Sequence, residues 1–179
     1  NAWYPAMQAA LKAKGAVKKE SPGYQARKSG AKVKFSVTDE AEFTAALDLL
    51  HEATRKPRLA ANSPDLLKQR IRLLPARNDY ASQFPRMAFV GFQSSGGTIP
   101  FRYLADAISI QARRCAERND VAGYRQLVED WKWLASSLAR DGHSLVDLLV
   151  ARTVSTTPLG DLRDAARALG FEEDAGRFE

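Results

Sequence analysis

The chain has 179 residues, 45% of them apolar, a net charge of +6 and one cysteine, enough for one domain whose core needs no metal or disulfide staple. A single thiol, Cys115, excludes an intramolecular disulfide and so a disulfide-dense secreted scaffold, but not an envelope location. No run of about 18 apolar residues is present to span a bilayer, and the charge is concentrated: residues 11–34 carry eight basic side chains against Glu20, a net of +7 that leaves −1 for the rest.

Asn1-Ala2, without an initiator Met, reads as a cloning remnant, with an excised segment expected upstream. Trp3 and Tyr4 suit the water–lipid interface beside a membrane helix, and suit equally a helix-start anchor packed on the core. Pro5 to about Lys14 is a short helix closed by Gly15, following the preference for Pro at a helix start and Gly past its end. Residues 15–31, with Gly15, Pro22, Gly23 and Gly30 among charges, read as an exposed loop. Lys32 to Val37 alternates polar and apolar, and is expected as an extended strap across helices, since one alternating run cannot build a sheet.

Asp39 with Glu42 three residues on predicts a helix start. Phe43, Ala46, Leu47, Leu50 and Ala53 follow at helical spacing until Lys56-Pro57. Ser63-Pro64-Asp65 opens a second helix with Leu67, Ile71 and Leu74 inward, closed by Pro75. The apolar run Met87–Phe92 is either a buried strand or a loop segment plugging the core, and Ser94 to Gly97 is a link. From Pro100, Phe101, Leu104, Ala105, Ile108, Ala112 and Cys115 fall on one helical face; after Asn119-Asp120, Tyr124, Leu127, Val128, Trp131, Leu134, Ala135 and Leu138 fall on another. The short link predicts an antiparallel α-hairpin, with Gly142 in the left-handed region closing it. Ser144 with Asp147 caps a helix whose first seven residues are nearly all apolar, predicted buried on every side. Thr157-Pro158 starts another, ended by Gly170-Phe171 in a Schellman-like turn; Glu172 to Glu179 is expected to fray.

The residues that carry chemistry form no converging constellation. His51-Glu52 lacks the second His that a zinc-protease helix needs, because position 55 is Arg; His51 reads as a helix-surface side chain, and His143 as one meeting unpaired carbonyls after Gly142. Ser95 has Gly97 after it but Gln93 before it, so a nucleophile elbow is absent. Cys115, on the inward stripe, is a core residue. Neighbouring acids such as Glu129-Asp130 point about 100° apart on a helix. No metal or cofactor is expected. Trp133 stands off the stripe of Trp131 and Leu134, and is either a protein-binding residue or packed against a later helix. In the basic segment, Lys18, Lys19, Arg27 and Lys28 are candidates for an anionic partner, alongside the plainer reading of a solvated loop. A lipid surface suits them; nucleic acid suits them less, because Tyr24 is the one aromatic there to stack a base.

Residues 101–140 resemble a helix–turn–helix repeat of the tetratricopeptide kind, with Asn119-Asp120 at the mid-repeat turn and Ala112 at the small position of its first helix; Tyr124 stands where that repeat carries Ala. The order of elements, from Trp3-Tyr4-Pro5 through Leu11, a linker, then Thr38-Asp39-Glu40-Ala41-Glu42-Phe43 and later paired helices, resembles uncharacterised bacterial membrane-anchored helical proteins. That resemblance implies an envelope location on the periplasmic side and does not indicate an activity.

The expected fold is all-α, a bundle or stack of antiparallel helix hairpins with a short strap near 32–37. Residues 1–14 form an N-terminal helix, 15–37 a basic linker and strap, and 38–179 a helical domain. The expected function is a non-enzymatic protein-interaction or scaffold domain of the bacterial cell envelope. The alternatives are a chain binding anionic lipid or nucleic acid through residues 12–34, an unfamiliar hydrolase with His51 or His143 near a Ser or carboxylate, and a cytoplasmic location.

Overall fold

The computed structural model describes residues 1–20, 34–59, 72, 97–142 and 144–178. The predicted helix from Ser63 apart from Arg72, the run Met87–Phe92, the Ser94–Ser95 link and His143 lie outside the described residues. The described part is all-α with one small ribbon, as expected.

The first helix, α1 (Trp3–Ala16), is longer than predicted. It accepts Pro5 at its third position, where the missing N–H would have no intrahelical partner, and runs through Gly15 rather than stopping there. The chain leaves the helix only when Val17 turns extended. One face is built of Ala6, Ala9, Ala10, Ala13 and Ala16, all fully buried, and Ala2 is buried with them, its N–H donating to the Arg58 carbonyl at 2.8 Å. Side chains this small let a neighbouring helix axis come close. The neighbour is α2 (Glu40–Thr54), which presents Phe43, Ala46, Leu50 and Ala53 and is capped by Asp39, whose carboxylate accepts from the Glu42 N–H at 2.9 Å.

Between them in the chain lies a β-ribbon rather than the expected loop and lone strap: Val17–Glu20 is strand β1, Lys34–Val37 is β2, and the two pair antiparallel from Val17 opposite Val37 to Glu20 opposite Lys34. The alternating run therefore has a partner. That partner, Val-Lys-Lys-Glu, exposes three of its four side chains and so shows no alternation to read.

A 3-10 turn at Ile99–Phe101 leads into α3 (Arg102–Glu117), the central helix, which packs on α1 and on the three helices that follow it. Asn119, in the left-handed region at φ 52°, turns the chain. Asp120 then caps α4 (Val121–Asp141) by accepting from the Gly123 N–H at 2.8 Å. A side chain at Gly123 would collide with that carboxylate, its Cβ falling 2.2 Å from Oδ2. Gly142 closes α4 in extended rather than left-handed conformation. Space dictates that glycine, because a Cβ there would lie 2.9 Å from the Leu138 carbonyl oxygen.

The capping box at Ser144 and Asp147 is present and starts α5 (Leu145–Thr156). The helix is not buried all round: Asp147, Val150, Ala151 and Val154 are inside, while Leu145, Leu148 and Leu149 are exposed. Next, α6 (Leu159–Ala168) buries Leu162, Ala165 and Ala166 and ends in the expected Schellman turn, with Gly170 at φ 80° and the Phe171 N–H donating to the Ala166 carbonyl at 2.8 Å. Residues expected to fray form α7 (Glu172–Arg177), after which Phe178 meets Trp131 edge-on at 5.8 Å. The aromatic face of α4 is thus pinned to the C-terminal elements: Tyr124 stacks on Phe171 at 6.1 Å and donates its hydroxyl to the Leu162 carbonyl at 3.0 Å, and Trp131 donates to the Val154 carbonyl at 2.9 Å.

Candidate functional site

Three surfaces bear on function. The first is the basic segment, of which Arg27 and Lys28 lie outside the described residues. Lys18 and Lys19 stand on β1, on neighbouring positions of a two-stranded ribbon that point to opposite faces. Lys19, though exposed, lies 3.6 Å from Asp106 and over the Phe35 ring, with Arg113 also 5.4 Å from that ring's centre. Asp106 is buried, and desolvation raises its carboxyl above the ordinary value despite the nearby Lys19 charge. Other cations of this side of the fold are also engaged. Lys12 holds Glu42 at 2.8 Å, Arg113 holds Asp161 at 3.0 Å, and Arg114 grips Glu40 through two bonds of 2.6 and 2.7 Å that keep the Glu40 carboxyl below its ordinary value. Of the four lysines in residues 12–19, Lys12 and Lys19 form ion pairs that tie α1 to α2 and the ribbon to α3.

The second surface is a shallow groove of about 700 Å³ along α4 and the α5–α6 junction. It is lined by Trp131, Trp133, Ala135, Ala139 and Leu159 together with the polar Glu129, Lys132, Ser136 and Ser155. Trp133 is half-buried: it packs on the core with one part and faces the groove with the other. The packing reading of this residue holds for its buried part. An apolar concavity with an aromatic wall and a few polar groups at its rim is the form that a ligand or peptide side chain fills.

The third surface is the outer stripe of α5. Leu145, Leu148 and Leu149 are 73%, 51% and 52% exposed. Sequence reasoning missed them, although a signal was available. Arg152, Thr153 and Thr156 share their helical face, and those polar residues mark the outward side.

His51 is more engaged than a surface histidine. Its Nδ1 lies 3.1 Å from Oδ1 of the buried Asp130, and the Arg55 guanidinium lies 3.1 Å from its Nε2. A guanidinium only donates, so Nε2 accepts and the ring proton sits on Nδ1, donated to Asp130. Gln126 donates to the same carboxylate oxygen at 2.9 Å. The arrangement ties α2 to α4 and occupies the nitrogen that a general base would use. A carboxylate near His51 was what the hydrolase alternative required, but the residues joined to this pair are Arg55 and Gln126, and no hydroxyl is bonded to it among the described residues. Cys115 is buried, and burial pushes its thiol up from the ordinary value; a raised pKa disfavours the reactive thiolate. Among the described residues no group of three His, Cys, Asp or Glu side chains is placed to hold a metal, and no helix is long and apolar enough to cross a membrane.

Comparison with protein-family models, with curated proteins and with solved structures gives no match to this chain.

Proposed function

We propose that this chain is a non-enzymatic helical scaffold that binds an apolar segment of a protein partner in the groove beside Trp133, and that it works in the bacterial cell envelope. The observation that carries the binding half is the groove itself, in which a half-exposed tryptophan stands among Ala135, Ala139 and Leu159. Tryptophans in such positions supply a disproportionate share of interface energy, commonly about 2 kcal/mol or more, equivalent to roughly 30-fold in affinity. Support also comes from the helix-hairpin arrangement of α3 and α4, which is the region resembling a tetratricopeptide repeat. The envelope half rests on the order of sequence elements alone.

The groove is tested by placing a photo-crosslinking residue at Ser136, exposed on its edge, and irradiating native cells. A discrete adduct that disappears when Trp133→Ala is added is the expected result. No adduct, or the same adducts from a crosslinker at the exposed Gly160, contradicts it. For the envelope half, the chain is expected in the membrane fraction and open to protease from the periplasmic side; recovery in the soluble cytoplasm removes it.

A further inference from the structure

We propose that the end of the molecule where α1, the 3-10 turn and α5 begin is a membrane-contact surface, on which exposed apolar side chains enter the headgroup region of an anionic bilayer and a collar of arginines meets the lipid phosphates. This surface is separate from the Trp133 groove and does not depend on it.

The elements converge there by direct contacts. The Trp3 ring meets Phe101 edge-on at 5.4 Å, and a Cβ at Gly97 would lie 3.5 Å from that indole. One residue on, the Thr98 hydroxyl donates to Asp147 of α5 at 2.6 Å. Around this junction large apolar side chains face solvent: Tyr4 at 65% exposure, Ile99 at 40%, and the three leucines of α5. Leu145, Leu148, Leu149 and Arg152 are spaced three and four apart and form one stripe.

The charge of this end is mainly positive. Residues 1–8, 55–59, 97–103 and 140–153 contain Arg55, Lys56, Arg58, Arg102, Arg140 and Arg152 against Asp141 and Asp147, and Lys56 is paired with Glu52 of the preceding turn at 2.9 Å. Both acids are engaged. Asp147 is buried and accepts from Thr98 and the Ser144 N–H, and Asp141 pairs with Arg140 at 3.0 Å. Arg58, Arg102 and Arg152 are exposed; Arg102 donates to the Tyr103 hydroxyl at 2.9 Å and its charge reaches Asp106. Leucines standing out among arginines fit a surface that is oily within and anionic at its rim, which is the interface of an acidic membrane. A second copy fits poorly. Two-fold pairing sets a patch against itself, so Arg58, Arg102 and Arg152 would meet the same arginines, while the nearby carboxylates of Glu52 and Asp141 are already held by Lys56 and Arg140.

The test is co-sedimentation of the whole chain with vesicles of phosphatidylcholine mixed with phosphatidylglycerol, against vesicles of phosphatidylcholine alone. The chain is expected to bind the mixed vesicles, more weakly at high salt, and at least about ten-fold more weakly to the neutral ones. Leu145→Ser with Leu149→Ser, both at exposed positions, is expected to weaken binding by about ten-fold or more with an unchanged circular dichroism spectrum. Arg152→Ala is expected to cost roughly five-fold. No binding to mixed vesicles overturns the proposal. So does binding that the leucine variant leaves intact, or binding removed only by changing Lys18, Lys19, Arg27 and Lys28 to Ala. A dimer seen by sedimentation equilibrium and abolished by the leucine variant assigns the surface to a second copy instead.

Discussion

Helices α3 and α5 belong to one core, yet neighbours enclose α3 on nearly every side while α5 buries a single face. The enclosed helix is the more polar of the two. It carries Asp106, Ser109, Gln111, Arg113 and Arg114, and the half-bare helix begins Leu-Val-Asp-Leu-Leu-Val-Ala. Residue size resolves the inversion. Ala105, Ala107, Ser109 and Ala112 leave room for α1, α4 and α6 to come close from several directions, and the longer polar residues of α3 reach outward from near its C-terminal half to Asp161 and Glu40. Burial of a helix is thus decided by how many neighbours it can admit, and an oily composition alone does not bring a neighbour to α5.

The contrast is sharpest in substitutions. Ile108→Ala, at a fully buried position of α3, is expected to cost about 2–5 kcal/mol in chemical denaturation, because it leaves a cavity that close packing does not refill. Overfilling the alanine face that admits α2 comes next. Ala9→Leu is expected to cost about 1–3 kcal/mol or to displace α1, and an unchanged melting curve would contradict the close helix contact. Removing the cap of α4 with Asp120→Ala costs about 1 kcal/mol. Gly123→Ala is expected to cost a similar amount, since its Cβ occupies the place of the capping carboxylate; a stabilising Gly123→Ala would refute that geometry.

Asp106 adds a dependence on pH to the α3 side. Burial, its largest influence, raises its carboxyl above the ordinary 3.8, outweighing Lys19. In the window just above 3.8 the folded chain keeps a proton there that the unfolded chain has lost, so this group makes stability fall as pH rises through the window. Asp106→Asn is expected to flatten that slope and to melt slightly higher than the parent at neutral pH. A steeper slope in the variant would mean that the Lys19 pair outweighs the burial.

Local signals were legible and long-range ones were not. Asp39, Asp120, Ser144 with Asp147, and Gly170 each announce a helix boundary through a bond to a residue three to five positions away, and each is found. The partner of β2 was hidden because Val17–Glu20 exposes its charges on both sides of the strand. The His51–Asp130 contact joins residues 79 apart in sequence, which no pattern within one helix encodes. The two glycines at helix ends behaved differently from their expectation because Gly15 has open space about it and Gly142 has none; sequence supplies the residue and not its surroundings. Of the functional surfaces, Trp133 was visible as an off-stripe aromatic. The leucine stripe was obscured by Val146, Val150 and Ala151, which extend the apolar run around the helix.

The most direct test is thermal unfolding of the chain carrying Leu145→Ser and Leu149→Ser beside the parent. If these side chains face water in the folded state, the midpoint shifts by no more than about 2 °C, as surface substitutions of about 0.5 kcal/mol do. A fall of roughly 10 °C or more would show that the folded chain covers these leucines itself, and the outward face of α5 would be core.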